Sequence, residues 1–213
     1  MKTADLITLL VTDLAPQDRG TVLRRFSAAL LGGSGLAVAG VFLWGVRPDL
    51  FTMLNTPFFL FKLSIPLLLI AVTVWLAARL AIPGARTKRA WGTLVLAYTA
   101  TWALALAVLW RAPMFARSEL ILGHTWRSCP LYIAVLSIPT FIALSWAMRG
   151  LAPTRPRLAG AVAGLLAGAV GTFAYCLRCP EMSIPFWAFW YSAGLVITTS
   201  AGALLGRVAL KWC

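Results

Sequence analysis

The sequence has few charged residues, and acidic residues are especially scarce. Only 12% of its 213 residues are charged, with 6 Asp and Glu against 19 Lys and Arg. Hydrophobic residues, in contrast, make up 61% of the chain. A soluble domain of this length could not bury so much apolar surface, so the composition indicates a polytopic helical membrane protein.

The residues on which most enzymes depend are also scarce. The chain has 1 histidine and 4 cysteines. It lacks a Gly-rich phosphate loop, a Ser-His-acid constellation and carboxylates paired in a plausible pocket. We therefore expect no enzymatic activity and no cofactor. A catalytic function would have to depend on the cysteines alone.

The apolar residues fall into six runs close to the ~20 residues that span a bilayer as a helix. They predict an all-α fold in which residues 26-213 form a six-helix transmembrane domain, preceded by a polar segment at 1-25. The predicted spans are Phe26 to Val46, Pro57 to Leu80, Trp91 to Trp110, Pro130 to Met148, Leu158 to Tyr175 and Ile184 to Leu210.

Basic residues predict the orientation, because short cytoplasmic loops carry an excess of Lys and Arg. Both ends of the chain and the loops after the second and fourth runs hold most of them, whereas the opposite loops hold five: Arg47, Arg111, Arg117, Arg127 and Arg178. Both termini are therefore predicted to be cytoplasmic. We attribute the net charge of +13 to this topology and to contact with anionic lipid rather than to direct nucleic-acid binding.

Residues 1 to 14 have the pattern of a short amphipathic helix, which Ala15-Pro16 would end. Asp5, Thr8 and Thr12 fall on the polar face. The apolar face would hold Leu6, Ile7, Leu10, Val11 and Leu14. Such a helix could lie on the membrane surface, pack against the bundle, or offer its apolar stripe to the groove of a soluble partner.

Lys62 is the one ionisable residue inside an apolar run, near the end of the second run that lies opposite the predicted cytoplasmic side. An intramembrane charge is a functional candidate by default. Two interpretations are open. The ammonium could extend to the lipid headgroups, or it could pair with an acidic residue, of which Glu181, Glu119 and Asp49 are the candidates.

Glycine and proline mark three of the runs. Glycines at four-residue spacing in the fifth run, and others in the first, predict close helix packing and leave self-association into a homo-oligomer as an open alternative. Pro66 and Pro139 lie within the second and fourth runs. Proline lacks a backbone donor, so both helices are predicted to kink.

Two loops on the predicted outer side each end in a Cys-Pro pair, Cys129-Pro130 and Cys179-Pro180. Proline favours the first helical position, which would place both cysteines at the start of a helix. There the positive end of the helix dipole and the nearby Arg127 and Arg178 favour a reactive thiolate.

Three interpretations of these thiols remain open. Cys129 and Cys179 could form a structural disulfide. They could instead be a sensor pair that cycles between dithiol and disulfide or transiently captures a soft metal ion. Cys176 and Cys179 could form a catalytic Cys-x-x-Cys, although no thioredoxin-like strand pattern surrounds them. The catalytic alternative for the whole chain is a membrane thiol-disulfide oxidoreductase, or a small transporter that uses the same cysteines.

Six short pieces, in this order along the whole chain, resemble the NrsF family of bacterial inner-membrane anti-sigma factors, the negative regulators of sigma F. The pieces are Met1-Lys-Thr-Ala-Asp-Leu-Ile7, Arg47-Pro-Asp49, Cys129-Pro-Leu-Tyr-Ile133, Leu151-Ala-Pro-Thr154, Cys179-Pro-Glu181 and Trp190-Tyr191.

The resemblance implies a multi-pass inner-membrane protein that holds an extracytoplasmic-function sigma factor inactive through its N-terminal segment. It also implies that Cys129 and Cys179 match the outward-facing cysteines of the family, which are linked to release of the sigma factor under heavy-metal or oxidative stress. It assigns no role to Cys176 or Cys213.

Overall fold

The computed structural model describes residues 19–80, 87–149 and 155–209. These residues form helices joined by short connections. The helices are α1 (Arg19–Trp44), α2 (Leu50–Leu54), α3 (Pro57–Leu80), α4 (Lys88–Arg111), α5 (Met114–Leu122), α6 (Cys129–Arg149), α7 (Pro156–Cys176), α8 (Ile184–Phe186), a π-helical turn (Trp187–Tyr191) and α9 (Ser192–Ala209).

Six helical stretches are long and apolar enough to cross a membrane, as the sequence predicts. They are Arg24–Trp44, Pro57–Leu80, Lys88–Arg111, Cys129–Arg149, Pro156–Cys176 and Ile184–Arg207. The last stretch joins α8, the π-helical turn and α9. The all-α fold with six candidate transmembrane helices is thus confirmed.

Two short helices, α2 and α5, were not predicted from the sequence. They have 5 and 9 residues, which is too short for a membrane-spanning signal. Both lie in connections that the sequence predicts to be loops, after α1 and after α4. They lie at the same end of the bundle as the connection between α7 and α8, since six alternating spans bring these three connections to one side.

Helix α7 lies at the centre of the bundle and is its most buried span. It packs most extensively against α9, and also against α6, α3 and α1. Helix α4 lies at the periphery, where it contacts α3, α8 and the π-helical turn. Only Ala90 and Ala105 of α4 are buried, so most of its apolar surface is left for lipid.

Small residues allow α7 and α9 to approach backbone to backbone. A Cβ atom on Gly160 would lie 2.7 Å from Gly206 Cα, and one on Gly164 would lie 3.1 Å from Gly202 Cα and closer still to the Thr198 carbonyl. In lipid, such close packing replaces the hydrophobic driving force between helices. The four-residue glycine spacing of the fifth run is therefore explained by packing within one chain.

We predict that Gly164→Leu destabilises the bundle, because the new side chain would collide with the backbone of α9. Overpacking of this kind costs about 1–3 kcal/mol or more. Thermal unfolding of the detergent-solubilised protein should show a clearly lowered Tm. Gly35→Leu is the matched control, since nothing lies within 4 Å of the position that its Cβ would take. Equal stability of the two variants would contradict the packing role of Gly164.

Candidate functional site: the Cys179 segment

Residues 177–183, named here the Cys179 segment, join α7 to α8 without regular helix or strand structure. The segment begins as a turn that continues from the end of α7. The amides of Arg178 and Cys179 both donate to the Tyr175 carbonyl, at 3.0 and 2.9 Å. This turn directs the Cys179 side chain into the bundle, where it is 0% exposed.

Three cysteines are buried together at this end of the bundle. Cys129, Cys176 and Cys179 belong to one apolar cluster that also contains Tyr175 and Tyr191. All three are free thiols, and Cys176 Sγ lies 3.7 Å from the Tyr191 hydroxyl. The structure therefore brings the two predicted sensor cysteines into one environment and adds Cys176, to which the family resemblance assigns no role.

The two Cys-Pro pairs differ in their position relative to a helix. Cys129 is the first residue of α6, as predicted, and its amide donates to the Thr125 carbonyl at 3.0 Å. Cys179 is not at a helix start, because α8 begins at Ile184. The prediction for Cys179 is therefore wrong. The turn after α7 uses its amide, and Pro185 rather than Pro180 occupies the first turn of the next helix.

Lys62 of α3 reaches into the Cys179 segment. Its side chain is 1% exposed, and Nζ donates to the carbonyl oxygens of Cys179 and Glu181, at 2.9 and 2.8 Å. The ammonium also lies 5.5 Å from the centre of the Trp187 ring and 6.0 Å from that of Phe59. Lys62 is thus enclosed within the protein. Of the two alternatives that the sequence left open, extension of the ammonium to the lipid headgroups is therefore wrong.

Glu181 meets Lys62 through its backbone rather than through its carboxylate. The side-chain Oε1 instead accepts a hydrogen bond from the His124 amide, at 2.7 Å. In the part of the chain that the structure describes, no carboxylate lies within ion-pair distance of Lys62. The hypothesised ion pair between Lys62 and Glu181 is therefore wrong. The two residues do meet, but through the backbone carbonyl of Glu181, which a search for pairs of charged side chains could not predict.

Arg178 holds the other side of the segment to the end of α1. Its guanidinium donates to the carbonyls of Trp44 and Gly45 and lies 5.4 Å from the centre of the Tyr132 ring. A cation at the last carbonyls of a helix is favoured by the helix dipole. The Arg47 amide completes this contact by donating to the Leu177 carbonyl at 3.4 Å.

Arg47 also forms a bidentate ion pair with Asp49, with N–O distances of 2.6 and 2.7 Å. The hydrogen bonds hold the pKa of the Asp49 carboxyl below its usual value and raise the pKa of Arg47. Asp49 therefore ionises more readily in the folded chain than in the unfolded chain. The ion pair stabilises the fold at pH values above the usual Asp pKa, and this stabilisation is lost as the pH falls through the lowered pKa of Asp49.

Helix α5 is fixed to the segment and to the π-helical turn by side chains that donate to its carbonyls. Ser183 Oγ donates to Leu120 O and Trp190 Nε1 donates to Ile121 O, both at 2.8 Å. Trp187 Nε1 donates to Glu181 O at 3.0 Å. The segment is consequently bonded to α1, α3 and α5, and through the Glu181 carboxylate to His124 in the connection before α6. These tryptophan contacts were missed by sequence reasoning, because their acceptors are backbone atoms.

The chemistry available here is that of free thiols buried in an apolar cluster. Among the described residues, no group of three or more His, Cys, Asp or Glu side chains is arranged to hold a metal ion. Thiols react with oxidants and metals only where reagents reach them, so the reactivity predicted from the sequence requires the segment to open.

The predicted partner-binding residues of the N-terminal helix lie outside the described residues.

These features define a multi-pass helical membrane protein with a buried thiol cluster at one end of its bundle. The chain belongs to the NrsF family, described as "Negative regulator of sigma F", which matches residues 10–212. The resemblance seen in the sequence is therefore confirmed.

Two curated relatives match along the whole length of both chains. The chain is 43% identical over 213 residues to a protein of Azospira oryzae named "Probable anti-sigma-F factor NrsF". It is 36% identical over 220 residues to the "Anti-sigma-F factor NrsF" of Caulobacter vibrioides. No solved structure matches the chain significantly.

We predict that Arg178→Ala exposes the Cys179 thiol, because the segment would lose its hydrogen bonds to the end of α1. Labelling by a water-soluble maleimide, followed residue by residue with mass spectrometry, should be at least about tenfold faster than in the unchanged protein, which corresponds to a loss of about 1.4 kcal/mol of local stability.

Arg127→Ala is the matched control for this experiment. It removes the same charge from the neighbouring connection, where Arg127 is exposed and lies against the Trp126 ring. We expect it to leave the labelling rate of Cys179 unchanged. Identical rates in both variants would show that Arg178 does not hold the segment closed.

Proposed function

We propose that this protein is a membrane-bound anti-sigma factor that sequesters an extracytoplasmic-function sigma factor. The observation that carries the proposal is the full-length similarity to two proteins named as anti-sigma-F factors. A regulator, rather than an enzyme, also suits a chain with one histidine and six acidic residues. The proposed location is the bacterial inner membrane, with both termini in the cytoplasm.

The proposed contact with the sigma factor is the N-terminal segment, residues 1-25. The predicted amphipathic helix would place the apolar face formed by Leu6, Ile7, Leu10, Val11 and Leu14 in a groove of the partner. Most of this segment precedes the first span, and residues 1-23 are the longest stretch of the sequence outside the six spans. It therefore offers the largest surface on the proposed cytoplasmic side.

The proposed signal is heavy-metal or oxidative stress, received by Cys129 and Cys179. Oxidation would join the two thiols in a disulfide, with two electrons passing to the oxidant and two protons released. A soft metal ion would instead displace the thiol protons and bind the sulfurs transiently. The common burial of both cysteines in one cluster supports the proposal, because modification of either would disturb the contacts of the Cys179 segment.

The sigma-binding role is tested by Leu6→Asp combined with Leu10→Asp. Full burial of a leucine contributes about 1.5–3 kcal/mol, so the double variant should bind the sigma factor at least about a hundredfold more weakly. The measurement is co-purification with candidate sigma factors, followed by titration in detergent. Thr8→Asp with Thr12→Asp, on the opposite face, should retain binding. Normal binding by the leucine variant would exclude this helix as the contact.

The sensor role is tested by Cys129→Ser with Cys179→Ser. We expect this variant to repress the sigma factor but to lose the response to metals and oxidants, measured with a reporter gene driven by the sigma factor. Cys176→Ser is the matched control because Cys176 lies in the same cluster outside both Cys-Pro pairs. An unchanged response in the double variant would rule out sensing by Cys129 and Cys179.

A further inference from the structure

Among the described residues, Lys62 is the only Lys, Arg, His, Asp or Glu that lies away from the ends of a span, and it is bonded directly to the segment that carries Cys179. Lys62 Nζ donates to the carbonyls on either side of Pro180, those of Cys179 and Glu181. These bonds join α3 to a stretch of chain that has no regular structure of its own. Any displacement of that stretch therefore removes the oxygen partners of a buried ammonium.

An ammonium left without partners in an apolar interior is strongly unfavourable. The surroundings of Lys62 offer no substitute charge, since none of the described carboxylates pairs with it. Two aromatic rings, those of Phe59 and Trp187, lie beside the ammonium. Movement of the Cys179 segment would consequently force α3 to move with it or to bend, so that Lys62 regains oxygen partners.

Helix α3 also contains, one turn after Lys62, a proline at which the helix can bend; this position, Pro66, is called the bending point below. Pro66 lies inside the helix, and the residue four positions before it is Lys62. Proline has no N–H to donate, so the Lys62 carbonyl lacks its usual helical partner and the helix is weakened at that turn. The residue that bonds the segment is thus located where α3 bends most easily.

A cleft beside Lys62 gives this part of α3 room to move. The cleft has a volume of about 190 Å³ and is partly open to the surface of the bundle between α3, α4 and the last span, and Lys62, Pro66, Trp187 and Tyr191 are among the residues that line it. Trp187 and Tyr191 begin and end the π-helical turn. Such turns are rare and are often found at functional sites.

We propose that Lys62 is the positioning residue that couples the Cys179 segment to α3. It holds Cys179 in place through the backbone, and it transmits displacement of the segment to the membrane-spanning helix by way of the bending point at Pro66. The inference builds on the proposed sensor function and names the residue and the helix through which the thiols would act on the opposite end of the bundle.

The first test compares release of the sigma factor by the full chain and by Lys62→Met. Diamide, which takes two electrons and two protons from a thiol pair, supplies the signal, and mass spectrometry confirms that the cysteines are oxidised. In the unchanged protein, oxidation should weaken sigma binding by roughly 5- to 150-fold, the usual range of allosteric coupling. Lys62→Met should bind equally well at rest and change less than about twofold on oxidation.

Two further variants separate the coupling from simple stability. Lys62→Arg, which keeps a charged donor, should restore part of the response. Glu181→Gln removes the carboxylate but keeps the carbonyl that Lys62 bonds, so it should respond as the unchanged protein does. Release by oxidised Lys62→Met at the normal level would overturn the proposal. If Lys62→Met does not accumulate in the membrane, Lys62→Gln takes its place, with the same expected loss.

A second measurement is independent of the sigma factor. Amide hydrogen exchange of the peptides that cover Pro57–Leu80 should rise on oxidation of the unchanged protein, but not of Lys62→Met. If this difference appears while no sigma factor binds, the coupling stands and the proposed anti-sigma function fails. If oxidation leaves α3 equally protected in both proteins, Lys62 does not couple the thiols to the helix.

Discussion

The charge of Lys62 is the constraint on which this end of the bundle depends. Removing an ammonium from water costs several kcal/mol even after relaxation, and only well-placed partners offset that cost. The carbonyls of Cys179 and Glu181 provide the hydrogen bonds, and two aromatic rings contribute further. A connection without secondary structure is thereby kept in one conformation, and Cys179 is kept inside the cluster.

The close packing of α7 supports this arrangement from within the membrane. Glycines on α7 face glycines on α9 near the end of this helix pair that lies away from the connection between them. Because α7 is the most buried span, the connection that follows it leaves the bundle from its interior. From there the Cys179 segment reaches α1 through Arg178, α3 through Lys62 and α5 through Ser183. A change at one thiol can therefore affect several helices together, as the proposed sensor function would require.

The sequence predicted the six spans to within a few residues, because hydropathy and bilayer thickness together determine helix length. The site was predicted less well. The proximity of the two Cys-Pro pairs followed from topology, but Cys179 was placed at a helix start, since a Pro at position 180 and one at 185 give the same signal. The partners of Lys62, Arg178 and Trp190 are backbone oxygens, which no pattern of side chains reveals.

The contact between Lys62 and the Cys179 segment can be measured directly by solid-state NMR of the protein in lipid bilayers. With ¹⁵N at Lys62 Nζ and ¹³C at the carbonyls of Cys179 and Glu181, hydrogen bonding predicts nitrogen–carbon distances of about 4 Å. The nitrogen–carbon dipolar coupling gives these distances, and distances of about 4 Å to both carbonyls would establish the contact. Distances beyond about 6 Å, outside hydrogen-bonding range, would contradict the account, because Lys62 would then extend elsewhere and the segment would be held by other means.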